Sequence, residues 1–227
     1  MTKININEAK KRSSAIHKVL KKLYPKPKVS LDYSNPLQLL VATILSAQCT
    51  DERVNKVTKS LFAKYRSADD YQNAPLDALE EDIRSTGFYR NKAKSIRKCC
   101  ADLVLKYGGE VPGSLEELTA LAGVGRKTAN VVLGAAFGVP GVVVDTHVKR
   151  VSGRLGLTVE KNPEKIEKDL MALIPQKEWT LFSNRLVLFG RKICAAKKPA
   201  CGSCPLFKLC PWERKTDFAE KGQSWKV

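Results

Sequence analysis

Through most of this chain apolar residues return every three or four positions, the period of a helix with one face turned inward. Ala15, Ile16, Val19, Leu20, Leu23 and Tyr24 make the first such stripe, with lysines on the other side. Asn35-Pro36 reads as a cap followed by proline at the first helical position, leading into Leu37, Leu40, Val41, Ile44 and Leu45. Asp51 is expected to cap a helix carrying Val54, Val57, Leu61, Phe62 and Tyr65. A short helix follows Pro75, with Leu76, Leu79 and Ile83 on one side, and Gly87 ends it. Ala93, Ile96, Cys100, Leu103, Val104 and Tyr107 hold the period until Gly108-Gly109. Ser114 and Glu117 predict a capping box before Leu118 and Leu121. Asn162-Pro163 opens a helix that runs to Leu173 and closes at Pro175, and a last long helix carries Trp179, Phe182, Leu186 and Phe189. Only Val142-Val143-Val144 reads as a strand, and no other segment reads as its partner. The predicted class is all-α. Residues 211–227 carry Trp212, Phe218 and Trp225 among charges without a helical stripe, and read as a peripheral extension or partly disordered tail.

At 227 residues the chain suits one large domain or two small ones, and 43% apolar content can fill a core. No apolar run approaches membrane-spanning length, so no membrane partner is expected. Forty Lys and Arg against 23 Asp and Glu leave a net charge of +17, spread along the whole chain. Nucleic acid is the first partner such a surface implies, because its counterions are released on binding. A plain basic surface or attraction to anionic lipid would give the same total.

Near the C-terminal end, Cys194, Cys201, Cys204 and Cys210 are spaced C-x6-C-x2-C-x5-C among Pro199, Pro205 and Pro211. Four thiols so close together point to a metal or cluster site. The seven cysteines are an odd number and no apolar leader is seen, which fits a reducing cytosol better than disulfide pairing. Tetrahedral Zn²⁺ and an iron–sulfur cluster are both compatible with the spacing.

Between two predicted helices lies Leu121-Ala122-Gly123-Val124-Gly125-Arg126-Lys127-Thr128-Ala129-Asn130. Gly123 and Gly125 permit a tight turn and a close backbone approach. The unpaired N–H groups at the following helix start form a site for a phosphate. Next to Arg126 and Lys127, in so basic a chain, DNA backbone binding is the favoured reading.

The stretch Leu121–Val132 resembles the helix–hairpin–helix of the endonuclease III family of DNA glycosylases. Val144-Asp145-Thr146-His147-Val148 is similar to that family's catalytic aspartate segment, and Ser46-Ala47-Gln48-Cys49-Thr50-Asp51 to its substrate-side loop. The four cysteines have the spacing of its [4Fe–4S] loop, and the motifs stand in the family's order from about residue 15 to residue 212. Ala122 stands where members often carry proline, and Phe88 where a leucine wedge is common.

The resemblance implies a two-lobed all-α enzyme with a DNA-binding cleft between the lobes. One lobe is expected over residues 29–140 and a discontinuous second lobe over 1–28 plus 141–212, with 213–227 as an extension. It implies excision of oxidised or ring-saturated pyrimidines and β-elimination at the abasic site, with Lys127 as the Schiff-base nucleophile and Asp145 as its partner. Gln48 would fill the space left by the flipped nucleotide and Phe88 would wedge the opposite strand. Gly123, Gly125 and Arg126 would hold phosphates, and Arg90, Lys92 and Lys94 would track the flanking backbone. The cluster would hold its loop rigid and present Arg191, Lys192, Lys197 and Lys198. His147 reads as a structural donor, outside the catalytic set. The expected partner is double-stranded DNA with damaged bases or abasic sites, bound by a monomer in a nucleoid-associated, cytoplasmic setting. The rival readings are a monofunctional mismatch or alkylation glycosylase, against which Lys127 argues, and a non-enzymatic DNA-binding Fe–S protein.

Overall fold

The computed structural model describes residues 6–220. Among them are twelve α-helices, four short 3₁₀ turns and no strand, the all-α class that the periodicity predicts. The chain divides into two compact units. One joins the segment up to Lys28, which holds α1 (Ile6–Leu23), to everything from Pro140 onward; the other is Val29–Val139.

The Val29–Val139 unit holds α2 (Pro36–Leu45), α3 (Asp51–Lys64), α4 (Ala68–Asn73), α5 (Leu76–Asp82), α6 (Tyr89–Tyr107), α7 (Leu115–Thr119) and α8 (Arg126–Ala136). Its axis is α2. Every residue from Leu39 to Leu45 is buried, so no face of that stretch reaches water, and α3, α6 and α8 pack around it. The Asn35 side chain accepts the Gln38 N–H and Pro36 occupies the first turn, as the sequence predicts. Cys99 and Cys100 are core residues of α6.

Two local expectations are corrected, and one helix that the period does not predict is added. The cap of α3 is Thr50, whose hydroxyl accepts the Arg53 N–H at 3.3 Å, while Asp51 is the first helical residue, where its charge favours the helix dipole. Ser114 accepts the Glu117 N–H at 3.2 Å and gives its hydroxyl proton to the Glu117 carboxylate at 2.6 Å, so the carboxylate bonds the Ser114 side chain. The short α4 has no apolar period; a reciprocal capping box between Ser67 and Asp70 starts it and buried Tyr71 anchors it.

The other unit contains α1, α9 (Thr146–Arg154), α10 (Pro163–Leu173), α11 (Trp179–Lys192) and α12 (Lys215–Glu220). Helix α11 packs on α9 and α1 around Ile16, Leu20, Val148, Phe182, Leu186 and Phe189. The valines at 142–144 form no strand. Val142 and Val143 enter the core as the chain runs toward the start of α9. Arg185, 1% exposed, donates to the carbonyls of Tyr24 and Pro25 and to Glu178, tying the end of α1 to α11.

Beyond residue 211 the expected tail is partly helical. Trp212 stacks on Phe218 at 5.6 Å, and α12 begins three residues after Trp212; Trp225 lies outside the described residues. Among the described residues no helix is long and apolar enough to cross a membrane.

Candidate functional site

Helices α7 and α8 are joined by a turn whose apolar residues, Leu121 and Val124, face the core. Gly123 turns it with φ of 75°, and a Cβ there would stand 2.7 Å from the Ser95 Cβ, so the position needs glycine twice over. Gly125 is the cap residue of α8 and has no side chain to satisfy the first turn. Its carbonyl accepts the Ala129 N–H at 3.0 Å, the first bond of the helix. The amides of Lys127 and Thr128 precede that bond and have no carbonyl within the helix to meet. The side chains of Arg126 and Lys127 are exposed beside them.

Asp145 belongs to the other unit, where it caps α9: its Oδ1 accepts the Val148 N–H at 2.7 Å. Two residues on, His147 Nδ1 is 3.1 Å from Arg150 Nη2. Arginine can only donate, so Nδ1 accepts and the neutral ring carries its proton on Nε2, which leaves the ring a donor as well, with a hydrogen bond to the Gly190 backbone. Burial holds His147 below the usual histidine range despite the opposing pull of the Asp145 carboxylate.

Gln48 and Phe88 share an unusual feature. They are the two non-glycine residues with positive φ among those described, at 54° and 51°, and both are exposed, Phe88 by 61%. Left-handed backbone costs a side-chain-bearing residue about 1–2 kcal/mol. Lys92, expected on the surface beside Arg90 and Lys94, is instead buried, and only those two are exposed. Its ammonium donates to the carbonyls of Leu45 and Thr86, each at 2.8 Å. Charge counting alone does not distinguish this lysine from its neighbours. Its place on the α6 stripe, one residue before Ala93 and four before Ile96, is the available signal.

The residues Cys194, Cys201, Cys204 and Cys210 border one apolar space with Phe189, Ile193 and Trp212. Among the described residues no group of three His, Cys, Asp or Glu side chains is arranged to hold a single metal ion. Burial pushes the Cys204 thiol up to about 12 and raises Cys201 and Cys210 as well, so thiolates there need an adjacent positive charge. Cations do flank the loop. Arg154 donates to Cys194 Sγ at 3.4 Å and to the carbonyls of Ala195 and Ala196, and its guanidinium lies 4.0 Å from the Trp212 ring centre. Arg150 donates to the Cys194 carbonyl, and Lys215, from α12, to those of Phe207 and Cys210. Sequence reasoning misses Arg150, Arg154 and Lys215 and points only to Arg191, Lys192, Lys197 and Lys198; these four are exposed.

Comparison with known proteins places these features in a family. Residues 41–176 match the model of the HhH-GPD superfamily of base excision DNA repair proteins. The chain is 58% identical over 203 residues to endonuclease III of Synechocystis sp., covering 89% of this chain and 93% of that one. To endonuclease III of Bacillus subtilis it is 50% identical over 196 residues, covering 86% and 90%. Among solved structures it is similar to a non-covalent endonuclease III–DNA complex, with a TM-score of 0.88 at 51% identity over 92% of this chain and 98% of the other. A trapped covalent endonuclease III–DNA intermediate matches with a TM-score of 0.86 at 51% identity, over 90% and 98%.

Proposed function

The chain belongs to the HhH-GPD superfamily of base excision DNA repair proteins, and we propose that it excises oxidised or ring-saturated pyrimidines from duplex DNA with Lys127 as nucleophile and Asp145 as its partner. It is a bifunctional base-excision enzyme, a DNA glycosylase with AP lyase activity. The observation that carries the assignment to Lys127 is the start of α8. There the Lys127 and Thr128 amides, which follow a glycine with no capping side chain, share one helical turn with an exposed lysine, so the groups that would grip a phosphate and the amine that would attack the neighbouring sugar sit together.

In the reaction the uncharged Lys127 amine attacks C1′ as the C1′–N bond breaks and the base leaves with a proton. Asp145 takes the amine proton and passes it to O4′ as the C1′–O4′ bond breaks, which opens the ring to a protonated imine. The imine acidifies C2′; removal of that proton expels the 3′ phosphate by breaking C3′–O, and water releases the enzyme. The cap of α9 occupies Oδ1 of Asp145, so Oδ2 is the oxygen assigned to proton transfer and to the cationic sugar. Reaching C1′ requires extrusion of the nucleotide, at about a few kcal/mol. Gln48 is assigned to the vacated space and Phe88 to the opposite strand. Gly123, Gly125 and Arg126 are assigned to phosphate, with Arg90 and Lys94 flanking.

The donor set of four thiols around an apolar space fits a [4Fe–4S] cluster, which Cys194, Cys201, Cys204 and Cys210 would hold. When bound it supplies rigidity to the loop; neither bond cleavage needs an electron. Protein with the cluster shows a broad visible absorption and about four irons per chain, whereas one zinc per chain would refute that assignment.

The test is incubation with a duplex containing one thymine glycol, then sodium borohydride and a denaturing gel. A covalent adduct and a β-elimination product are expected, and the adduct disappears in Lys127→Ala. Trapping that survives this change places the nucleophile elsewhere. Asp145→Asn separates chemistry from folding, since asparagine caps a helix as well as aspartate does. It is expected to keep DNA binding and the stability of α9 while losing most turnover.

A further inference from the structure

Two loops that differ in sequence end in the same backbone state. Gln48 lies three residues past Leu45, the last residue of α2, and Phe88 lies two residues past Thr86, the last residue of a 3₁₀ turn. Both Gln48 and Phe88 carry an exposed side chain on left-handed backbone, which persists only where the surroundings impose it. What joins the roots of these loops is one ammonium. Lys92 Nζ donates at 2.8 Å to the Leu45 carbonyl and at 2.8 Å to the Thr86 carbonyl, both bonds buried. Each carbonyl stands at the C-terminal end of a helical segment, where backbone oxygens lack an internal partner and the dipole favours a cation. Lys92 is also tied to the second loop through its own backbone, since its N–H donates to the Phe88 carbonyl at 3.1 Å.

We propose that Lys92 is a positioning residue that locks the Gln48 and Phe88 loops together, so that the two side chains enter the duplex at a fixed separation. This rests on the assignment of Gln48 and Phe88 to duplex insertion. Lys92 touches neither substrate nor the reacting atoms; it acts through the two carbonyls it holds. The ammonium suits the task because it carries three donors and no acceptor, so one group can satisfy both loop roots and favours no alternative pairing. A neutral side chain of similar length would leave both carbonyls buried and the loops free to move independently.

The experiment compares excision from a thymine glycol duplex with borohydride trapping on a single-stranded abasic oligonucleotide, both under single-turnover conditions. Lys92→Met is expected to slow the duplex reaction at least tenfold, in rate more than in half-saturation, and to leave single-strand trapping within about twofold, since neither carbonyl that Lys92 holds belongs to α8 or to the turn before it. A duplex rate within twofold of the parent overturns the proposal, as does an equal fall on both substrates. A second measurement leaves Lys92 in place, so it holds even if that variant folds poorly. Gln48→Ala, Phe88→Ala and the double variant form a cycle, and loops locked together give non-additive losses on duplex. Additive losses overturn the locking. If neither single change slows the duplex reaction, the insertion assignment itself falls; if both do while Lys92→Met does not, only the role of Lys92 falls.

Discussion

Among the described residues each unit buries one basic side chain, and the two are held in different ways. Arg185 meets a carboxylate, Glu178 at 2.9 Å, as well as the carbonyls of Tyr24 and Pro25. Lys92 meets two carbonyls, those of Leu45 and Thr86. Arg185 links α1 to α11, segments far apart in sequence that must come together before that unit has a core. The carbonyls that Lys92 joins lie at the ends of two helical segments already packed in one core, and what they carry onward is a pair of exposed loops. A buried cation paired with an anion thus holds a unit together, whereas one bonded to helix ends sets the geometry of the loops that leave them.

The widest separation between the two comes from removing each charge. Arg185→Met leaves the Tyr24 and Pro25 carbonyls unmet and takes from half-buried Glu178 the nearest of its basic neighbours, with Lys21 and His17 remaining, and unfolding in urea should show a loss of about 3 kcal/mol, with activity per folded molecule unchanged. Lys92→Met should cost less, about 2 kcal/mol for carbonyls left unsatisfied, while its damage appears in duplex excision. Equal stability losses would erase the distinction drawn between them.

The same division runs through the hairpin. Gly123→Ala adds a Cβ 2.7 Å from Ser95 on left-handed backbone and should lose about 1–2 kcal/mol. Gly125→Ala meets nothing within 4 Å at ordinary φ and should stay within about 0.5 kcal/mol of the parent. Similar losses at both would mean that the turn is less tightly defined than its contacts indicate.

The smallest effect is a pH dependence. Burial alone would raise the Glu178 carboxyl, but the Arg185 hydrogen bond, with His17 and Lys21 nearby, holds it below its ordinary 4.5. The folded state is therefore the stronger acid. Its contribution is complete above the unfolded value and fades as pH falls through the lower folded one. Urea midpoints measured downward from pH 5 should drop, with a shallower drop in Glu178→Gln. No change in slope would sever Glu178 from the stability of that unit.

Much of the fold is legible where local chemistry and period agree, as at Asn35-Pro36, Asn162-Pro163 and the stripes of α1, α6 and α11. Helix α4 is too short to show a period, and its cap is the only local sign of it. The start of α9 is hidden for another reason: Asp145 draws notice for its chemistry, though the same carboxylate caps the helix. The left-handed backbone at Gln48 and Phe88 has no local signature, because neither residue prefers it. The α6 stripe hints at the burial of Lys92 but not at what it bonds. Its carbonyl partners include Leu45, and no rule of spacing or charge connects those two residues.

One unit is interrupted by the other, and this orders events during synthesis. Ile16 and Leu20 of α1 emerge from the ribosome early, but the residues that cover them, among them Phe182 and Leu186, come only after the whole of Val29–Val139. At ordinary elongation rates that interval is on the order of ten seconds. Val29–Val139 has every part of its own core before its host has half of one. The inserted unit is ready to fold first, while a helix with an uncovered apolar stripe waits for the chain to return.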